Sequence, residues 1–285
     1  MAADRPERRN EVTAQIELTG ELAGELELAE ATAAVQCAES AQSTDPASHS
    51  AVEPIGGGYA VYCGPGNPVT QSVGLGLRGP ITEQEFDRLE SFYFSRREAV
   101  RVETCPMADS TLMNFYKERG YHVSEFSNVM ATPTNLDTFG SPSPGLEIRL
   151  AGREELDLWV LVVGQGFAEN QPVSQEILSV MKMFAMGKGT ECYLASIDGR
   201  IVGGATLARR GRVAGLFGAS TLPEFRKKGV QTALLGYRLQ RASELGCTLA
   251  MSIALPGSVS QRNMSRAGFQ TLYTRAKFER PYTDA

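Results

Sequence analysis

The sequence predicts an α/β protein of the α+β kind, made of two domains that each carry a mixed, mostly antiparallel central sheet flanked by helices. Three observations predict it. The chain has 285 residues, long for one ordinary domain and suited to two. Short β-branched and aromatic runs alternate with stretches of helical period. One order of elements also recurs: "VRVETCP", "STLMNFYKERGY" and "HVSEFSNVMA" in the first half match "LAMSIALP", "SVSQRNMSRAGF" and "QTLYTRAKFE" in the second. Each set is a strand, a proline loop, a helix closing on Gly-aromatic, and a strand, as a duplicated domain would give. The expected boundaries are 1–132 for the first domain, 133–145 for a linker and 146–285 for the second.

From about Asn10 to Gln42 the chain is rich in Ala, Glu and Leu and free of Pro, which predicts helix. "STDPASHSAVEPIGGG" breaks it, with Pro46, Pro54 and Gly56 to Gly58 reading as loop. "YAVYC" and "QSVGLGL" predict strands. Thr82 with Glu85 three residues later is a capping box opening "TEQEFDRLESFYFS", whose Phe86 and Leu89 share a stripe. "AVRVETC", "DSTLMNFYKERG" and "YHVSEFSNVMA" then predict strand, helix and strand. After the Pro- and Gly-rich linker come the strand "LEIRLA" and two helices, Glu154 to Gly166 and Val173 to Met186. "TECYLASI" and "RIVGGATLA" meet at Asp198-Gly199, a hairpin turn, and Arg210-Gly211 leads into "RVAGLFGAST". The helix Val230 to Leu245, the strand "CTLAMSIAL", the short helix "SQRNMSRAG" and the strand "FQTLYTRAKFE" complete the chain.

Composition narrows the function. Hydrophobic residues make up 42% and charged residues 21%, a globular balance. A net charge of −5 argues against broad nucleic-acid or anionic-membrane binding, so any phosphate binding is local. The five cysteines are scattered, with no CxxC and no Cys/His pairing, which suggests buried reduced thiols and no metal site. A charged N-terminus without an apolar core predicts a cytoplasmic protein.

One stretch concentrates chemistry. "EFRKKGVQTALL" places Arg226, Lys227 and Lys228 directly before an apolar helix. A helix start already carries partial positive charge and unpaired N–H groups, so added cations there call for an anion. Gly229 lets backbone approach a ligand closely, and the amides of Val230, Gln231 and Thr232 open the helix. A pyrophosphate fits this arrangement. No Gly-Lys-Ser/Thr follows the glycine and no G-x-G-x-x-G is present in this turn, which excludes a nucleotide P-loop and a dinucleotide fingerprint.

With that turn set between a three-strand meander and a helix, the second half resembles the GNAT N-acetyltransferase superfamily. "TLPEFRKKGVQTALL" is similar to its acyl-CoA motif, Arg/Gln-x-x-Gly-x-Gly/Ala, with Gln231 in place of the second small residue. "NMSRAGF" is similar to its late helix. The resemblance implies two GNAT-like domains and transfer of an acetyl group from acetyl-CoA to a primary amine of a small molecule or peptide. It also leaves open a non-catalytic acyl-CoA sensor or interaction module. Backbone donors at Ala219, Ser220, Thr221 and Leu222 would polarise the thioester carbonyl, while Ser260 and Asn263 on the late helix would contact the pantetheine arm or serve helix packing. Where the family often has an acidic tyrosine stands Met264, and Tyr273 is the substitute, equally readable as a core residue. Removing the proton of an alkylamine at neutral pH costs roughly 4 to 5 kcal/mol. Glu191 and Glu169 are the candidate bases, and both also fit exposed surface carboxylates. In the first half Tyr116 occupies the tyrosine position, but Pro80, Glu83 and Glu85 at its helix entry oppose a phosphate. That half is expected to be a degenerate copy that shapes the cleft or packs as an internal pseudo-dimer, in a monomer or a homodimer.

Overall fold

The computed structural model describes residues 15–135, 143–168 and 171–283. The first half contains α1 (Gly20–Thr44), β1 (Ala51–Ile55), β2 (Gly58–Tyr62), β3 (Gln71–Val73), α2 (Glu83–Phe94), β4 (Val100–Thr104), α3 (Thr111–Glu118) and β5 (His122–Pro133). The second contains β6 (Leu146–Leu150), α4 (Leu156–Ala168), α5 (Gln175–Met186), β7 (Thr190–Ile197), β8 (Arg200–Arg210), β9 (Val213–Gly215), β10 (Ser220–Thr221), α6 (Val230–Glu244), β11 (Leu249–Ala254), α7 (Val259–Arg266) and β12 (Gln270–Arg280). The run meander–helix–strand–helix–strand occurs in both halves, as the internal similarity predicts.

Two local expectations change. The first described helix starts at Gly20, where Thr19 accepts the Leu22 amide, and residues 15–19 are not helical; the expected start near Asn10 lies outside the described residues. The segment before the glycines is strand β1 and not loop. Pro54 is tolerated there because β1 is the edge of the sheet, where a missing N–H breaks no ladder. The Thr82–Glu85 capping box forms as read: Thr82 Oγ1 accepts from the Glu85 amide and the Glu85 carboxylate accepts from the Thr82 amide.

The strands join in one mostly antiparallel sheet, in the order β1-β2-β3-β4-β12-β5-β11-β9-β8-β7-β6, with β10 beside β8. The pairing crosses the boundary expected at 133–145. β12, the last strand of the second half, lies between β4 and β5 of the first, and β5 pairs in turn with β11 of the second. Each half thus gives its final strand to the other about the antiparallel β12/β5 pair, a pseudo-twofold arrangement within one chain. Much of the proline-rich linker, residues 136–142, lies outside the described residues.

Helices α2, α3, α6 and α7 cover one face and α1, α4 and α5 the other. On β11, Ala250 and Ala254 pack with Leu234 of α6 and Met264 of α7, whereas Leu249 and Met251 pack with Leu22 and Leu26 of α1. α1 is flanked by β1–β3 of the first half and β8–β9 of the second, so the sheet curls about it. Around Cys37 of α1 the two halves share a core of Val61 and Cys63 with Trp159, Val163 and Leu194. All five cysteines are buried and free.

Candidate functional site

The site begins where β9 ends. β9 runs parallel to β11 from Val213/Leu249 to Gly215/Met251. The Leu216 amide then donates to the Met251 carbonyl (2.9 Å) and Ser252 Oγ donates to the Leu216 carbonyl (2.8 Å). Beyond this point the strands diverge. The Phe217 carbonyl is taken by Thr206, through its amide (3.1 Å) and its Oγ1 (2.8 Å). β10 follows β8, with Ser220 opposite Gly204, while β11 continues against β5 to Ala254. A wedge therefore opens between β10 and β11.

Glycines permit the close packing at its rim. A Cβ at Gly204 would stand 2.7 Å from the Tyr193 carbonyl oxygen and 2.8 Å from Trp159 Nε1, so only glycine lets α4 sit on β8 here. Trp159 is buried, donating from Nε1 to the Tyr193 carbonyl at 3.1 Å. Ser220 Oγ donates to the Val163 carbonyl at 2.7 Å, which ties β10 to α4. The Leu222 amide donates to the Val202 carbonyl at 2.9 Å. Because antiparallel pairing alternates, the Thr221 N–H points away from β8, toward the wedge. Of the four backbone donors expected at residues 219–222, that of Leu222 is thus committed. Thr221 Oγ1 is buried and has no partner among the described residues.

The basic turn follows. Pro223–Phe225 form a single 3-10 turn, Lys227 and Gly229 adopt positive φ (63° and 81°), and α6 starts at Val230 with no side-chain cap. Among the described residues nothing accepts from the amides of residues 227–232. The cations are arranged unequally. The Arg226 guanidinium turns back, donating from Nη2 to the Gly166 carbonyl (2.9 Å) and from Nε to the Thr221 carbonyl (3.4 Å), so it braces the end of α4 against β10. Lys228 Nζ lies 4.7 Å from the centre of the Phe225 ring, a cation–π contact. Lys227 is exposed. Val230 anchors the helix start in the core with Leu234, and Gln231 and Thr232 sit in the first turn.

The first half closes the equivalent place. Its α2 amides are capped by Thr82, Glu83 and Glu85 add negative charge, and the loop after β3 is bonded down by Asp109 N–H to the Gly76 carbonyl (2.9 Å). The two helix entries thus have opposite electrostatics.

The Acetyltransferase (GNAT) family model matches residues 164–269, which spans the end of α4, the meander, the wedge, the basic turn and α7. Residues 164–269 form a GNAT domain. The fold of the whole chain is similar to a GCN5-related N-acetyltransferase from Kribbella flavida, at 16% identity over 87% of this chain and 96% of that one, with a TM-score of 0.62. It is similar also to a tandem GNAT protein from the clavulanic acid biosynthesis pathway, at 14% identity over 83% and 84%, with a TM-score of 0.56. A functionally unknown conserved protein from Staphylococcus epidermidis shares 12% identity over 72% and 82%, with a TM-score of 0.52. No curated protein matches the sequence. The protein thus has two GNAT-like domains.

The two expected catalytic side chains are engaged elsewhere. Glu191 accepts from Arg241 Nε (3.1 Å) and Nη2 (2.9 Å) and from the Tyr193 hydroxyl. The Arg241 bonds hold its carboxyl below the usual range, which makes it a poor base. Arg241 is 11 positions after Val230, roughly 16 Å along α6 from the basic turn. Tyr273 is buried beneath α1, with its hydroxyl donating to Glu27 Oε1 at 2.8 Å. Burial first, then Glu27, pushes its pKa far up. Neither is placed to act at the wedge. Glu169 lies outside the described residues. Tyr116 of the first half is core as well, its hydroxyl 2.9 Å from Thr104 Oγ1. Met264 packs against the α6 core. Ser260 is exposed on α7, and Asn263 accepts from Arg266 at 3.3 Å. Sequence reasoning missed Thr206, Ser252 and Arg238, whose contacts shape the wedge; the Gly203-Gly204 pair was the visible sign of close packing there. No group of metal-ligating side chains occurs among the described residues, and no helix among them is long and apolar enough to cross a membrane.

Proposed function

We propose that the GNAT domain binds acetyl-CoA through the basic turn and the wedge and acetylates a primary amine of a small molecule or peptide. One observation carries this reading: among the described residues, six successive amides, at residues 227–232, are without an acceptor at a helix start beside two lysines. Such a nest fits a diphosphate. Gly229, at φ 81°, supplies a backbone that a side chain would obstruct. The amides at 227–232 hold the pyrophosphate, Lys227 and Lys228 screen it, and Arg226 stiffens the turn from behind. Ser260 and Asn263 line the path of the pantetheine arm. The Thr221 N–H, with that of Ala219, polarises the carbonyl at the wedge. The bound thioester supplies the acetyl group. The amine nitrogen bonds the acetyl carbon as the carbon–sulfur bond breaks; solvent takes the amine proton and protonates the departing CoA thiolate, since Glu191 and Tyr273 are engaged elsewhere. The degenerate first half carries no such site; it walls the cleft and completes the sheet with β5.

Met264 in place of a hydroxyl, and the commitment of Glu191 and Tyr273, favour a second reading: an acyl-CoA sensor that transfers nothing. Thiol release from acetyl-CoA with a panel of polyamines, amino acids, aminoglycosides and short peptides separates the two. The proposal expects saturable release with at least one class of amine. Saturable CoA binding with no release above hydrolysis for any of them would establish the sensor.

A further inference from the structure

Arg238, on the third turn of α6, is 2% exposed. Leu234, Leu235 and Leu239, beside it on α6, belong to the core between the helix and the sheet. It forms no ion pair with any described carboxylate. Its bonds go to two carbonyls: Nε donates to Leu234 of its own helix (3.1 Å) and Nη1 to Thr206 of β8 (2.9 Å). Burial pushes its pKa down to about 10, with Tyr193 opposing, so it stays charged at neutral pH. A buried cation without a carboxylate is costly, and an unbranched apolar side chain would fill the same space with less penalty. Arg238 stands eight positions past Val230, roughly 12 Å along the helix axis, too far for the basic turn to explain it.

Its one hydrogen bond outside α6 among the described residues points to a reason. Thr206 accepts from Arg238 and holds the Phe217 carbonyl through both its amide and its hydroxyl. Phe217 is where β10 parts from β11, with Ser252 gripping Leu216 from the other side. Gly218 follows at φ 54°, and Ala219 and Ser220 come next. We infer that Arg238 is a positioning residue for acetyl transfer, resting on the acetyl-CoA reading above: through Thr206 it fixes the bend at Phe217 and so aims the wedge amides at the acyl carbonyl. A charge-assisted bond is stronger and more directional than a neutral one, and in this dry setting its field extends to the wedge.

The test uses the full chain with acetyl-CoA labelled with 13C at the carbonyl, and CoA itself as the control probe. In the wild type the carbonyl resonance moves on binding. Arg238→Met is expected to melt no lower than wild type and to bind CoA within about twofold of it. It should lose the carbonyl displacement, and its preference for acetyl-CoA over CoA should fall about tenfold, the change expected from one charge-assisted bond. Arg238→Lys recovers part of the displacement, and Thr206→Val reproduces the loss. If Arg238→Met does not fold, Thr206→Val and Arg238→Lys give the same readout. A wild-type carbonyl position in these variants, or an equal loss of CoA and acetyl-CoA binding, would overturn the inference. Failure of the wild type to bind either probe would overturn the acetyl-CoA reading beneath it.

Discussion

Gly229→Val is expected to abolish coenzyme A binding, lowering affinity by at least about a hundredfold, and to leave the protein folded. Gly229 has φ 81° and ψ 0°, a left-handed conformation that a β-branched residue adopts only at a cost of about 1–2 kcal/mol. Among the described residues a Cβ there would meet only Ser143 Oγ, at 3.7 Å, an ordinary contact. The turn relaxes toward negative φ, the amides of residues 227–232 stop converging, and the valine branches lie where a phosphate oxygen would approach. α6 stays in place because Val230, Leu234 and Leu235 hold it in the core. Calorimetric titration with CoA gives the affinity and thermal melting controls for the fold. An affinity within threefold of wild type would refute the basic turn as the pyrophosphate site.

The second large effect lies at the strand exchange. Between α1 and the central strands, Arg275 bonds Glu27, Glu30 and Ser127 and lies 3.4 Å from Glu103, while Lys277 pairs with Glu103 and Glu125. Arg275 and Glu27 are each 1% exposed. Arg275 arrives on β12 from the second half, the glutamates on α1, β4 and β5 from the first, so this network fastens the exchanged strand. Arg275→Met removes the cation shared by the buried Glu27 and Glu103 and the partly buried Glu30, leaving Glu27 with the Tyr273 hydroxyl and Glu103 with Lys277. The expected loss is about 3–5 kcal/mol, a melting point lower by roughly 10 °C in a chain of this size.

The same network makes stability depend on pH. Burial, opposed by Arg275 and assisted by Glu30, raises the Glu27 pKa from 4.5 to about 7. The folded protein then keeps a proton that the unfolded chain releases, so this stabilisation is complete below the unfolded value and is lost as pH rises through about 7. Wild type should therefore gain stability between about pH 8 and pH 5.5 relative to Glu27→Gln, which removes the titration. Parallel pH profiles of the two melting points would contradict this role for Glu27.

The element order, the capping box at Thr82 and the basic turn were legible because each is written within a dozen residues: a periodicity, a cap, a glycine after cations. The strand exchange was not, because β5 and β12 carry the same alternation whichever neighbour they pair with. Register between distant strands leaves no local mark. Glu191 and Tyr273 were chosen as polar groups on suitable strands, but their partners, Arg241 and Glu27, stand 50 and 246 residues away. Arg238 reads in sequence as one more surface charge on an amphipathic helix, and only packing shows that it is buried. Pro54 misled for a related reason: a proline argues against strand except at an edge, and edges are a tertiary property.

The most direct measurement is the amide NMR spectrum of 15N-labelled protein during titration with coenzyme A. If main-chain amides at residues 227–232 hold the diphosphate, those resonances should move downfield together and saturate with the calorimetric affinity, while Thr82 to Glu85 at the capped helix of the first half stay still. Saturable binding that leaves residues 227–232 unmoved, or that shifts the α2 entry in their place, would contradict it.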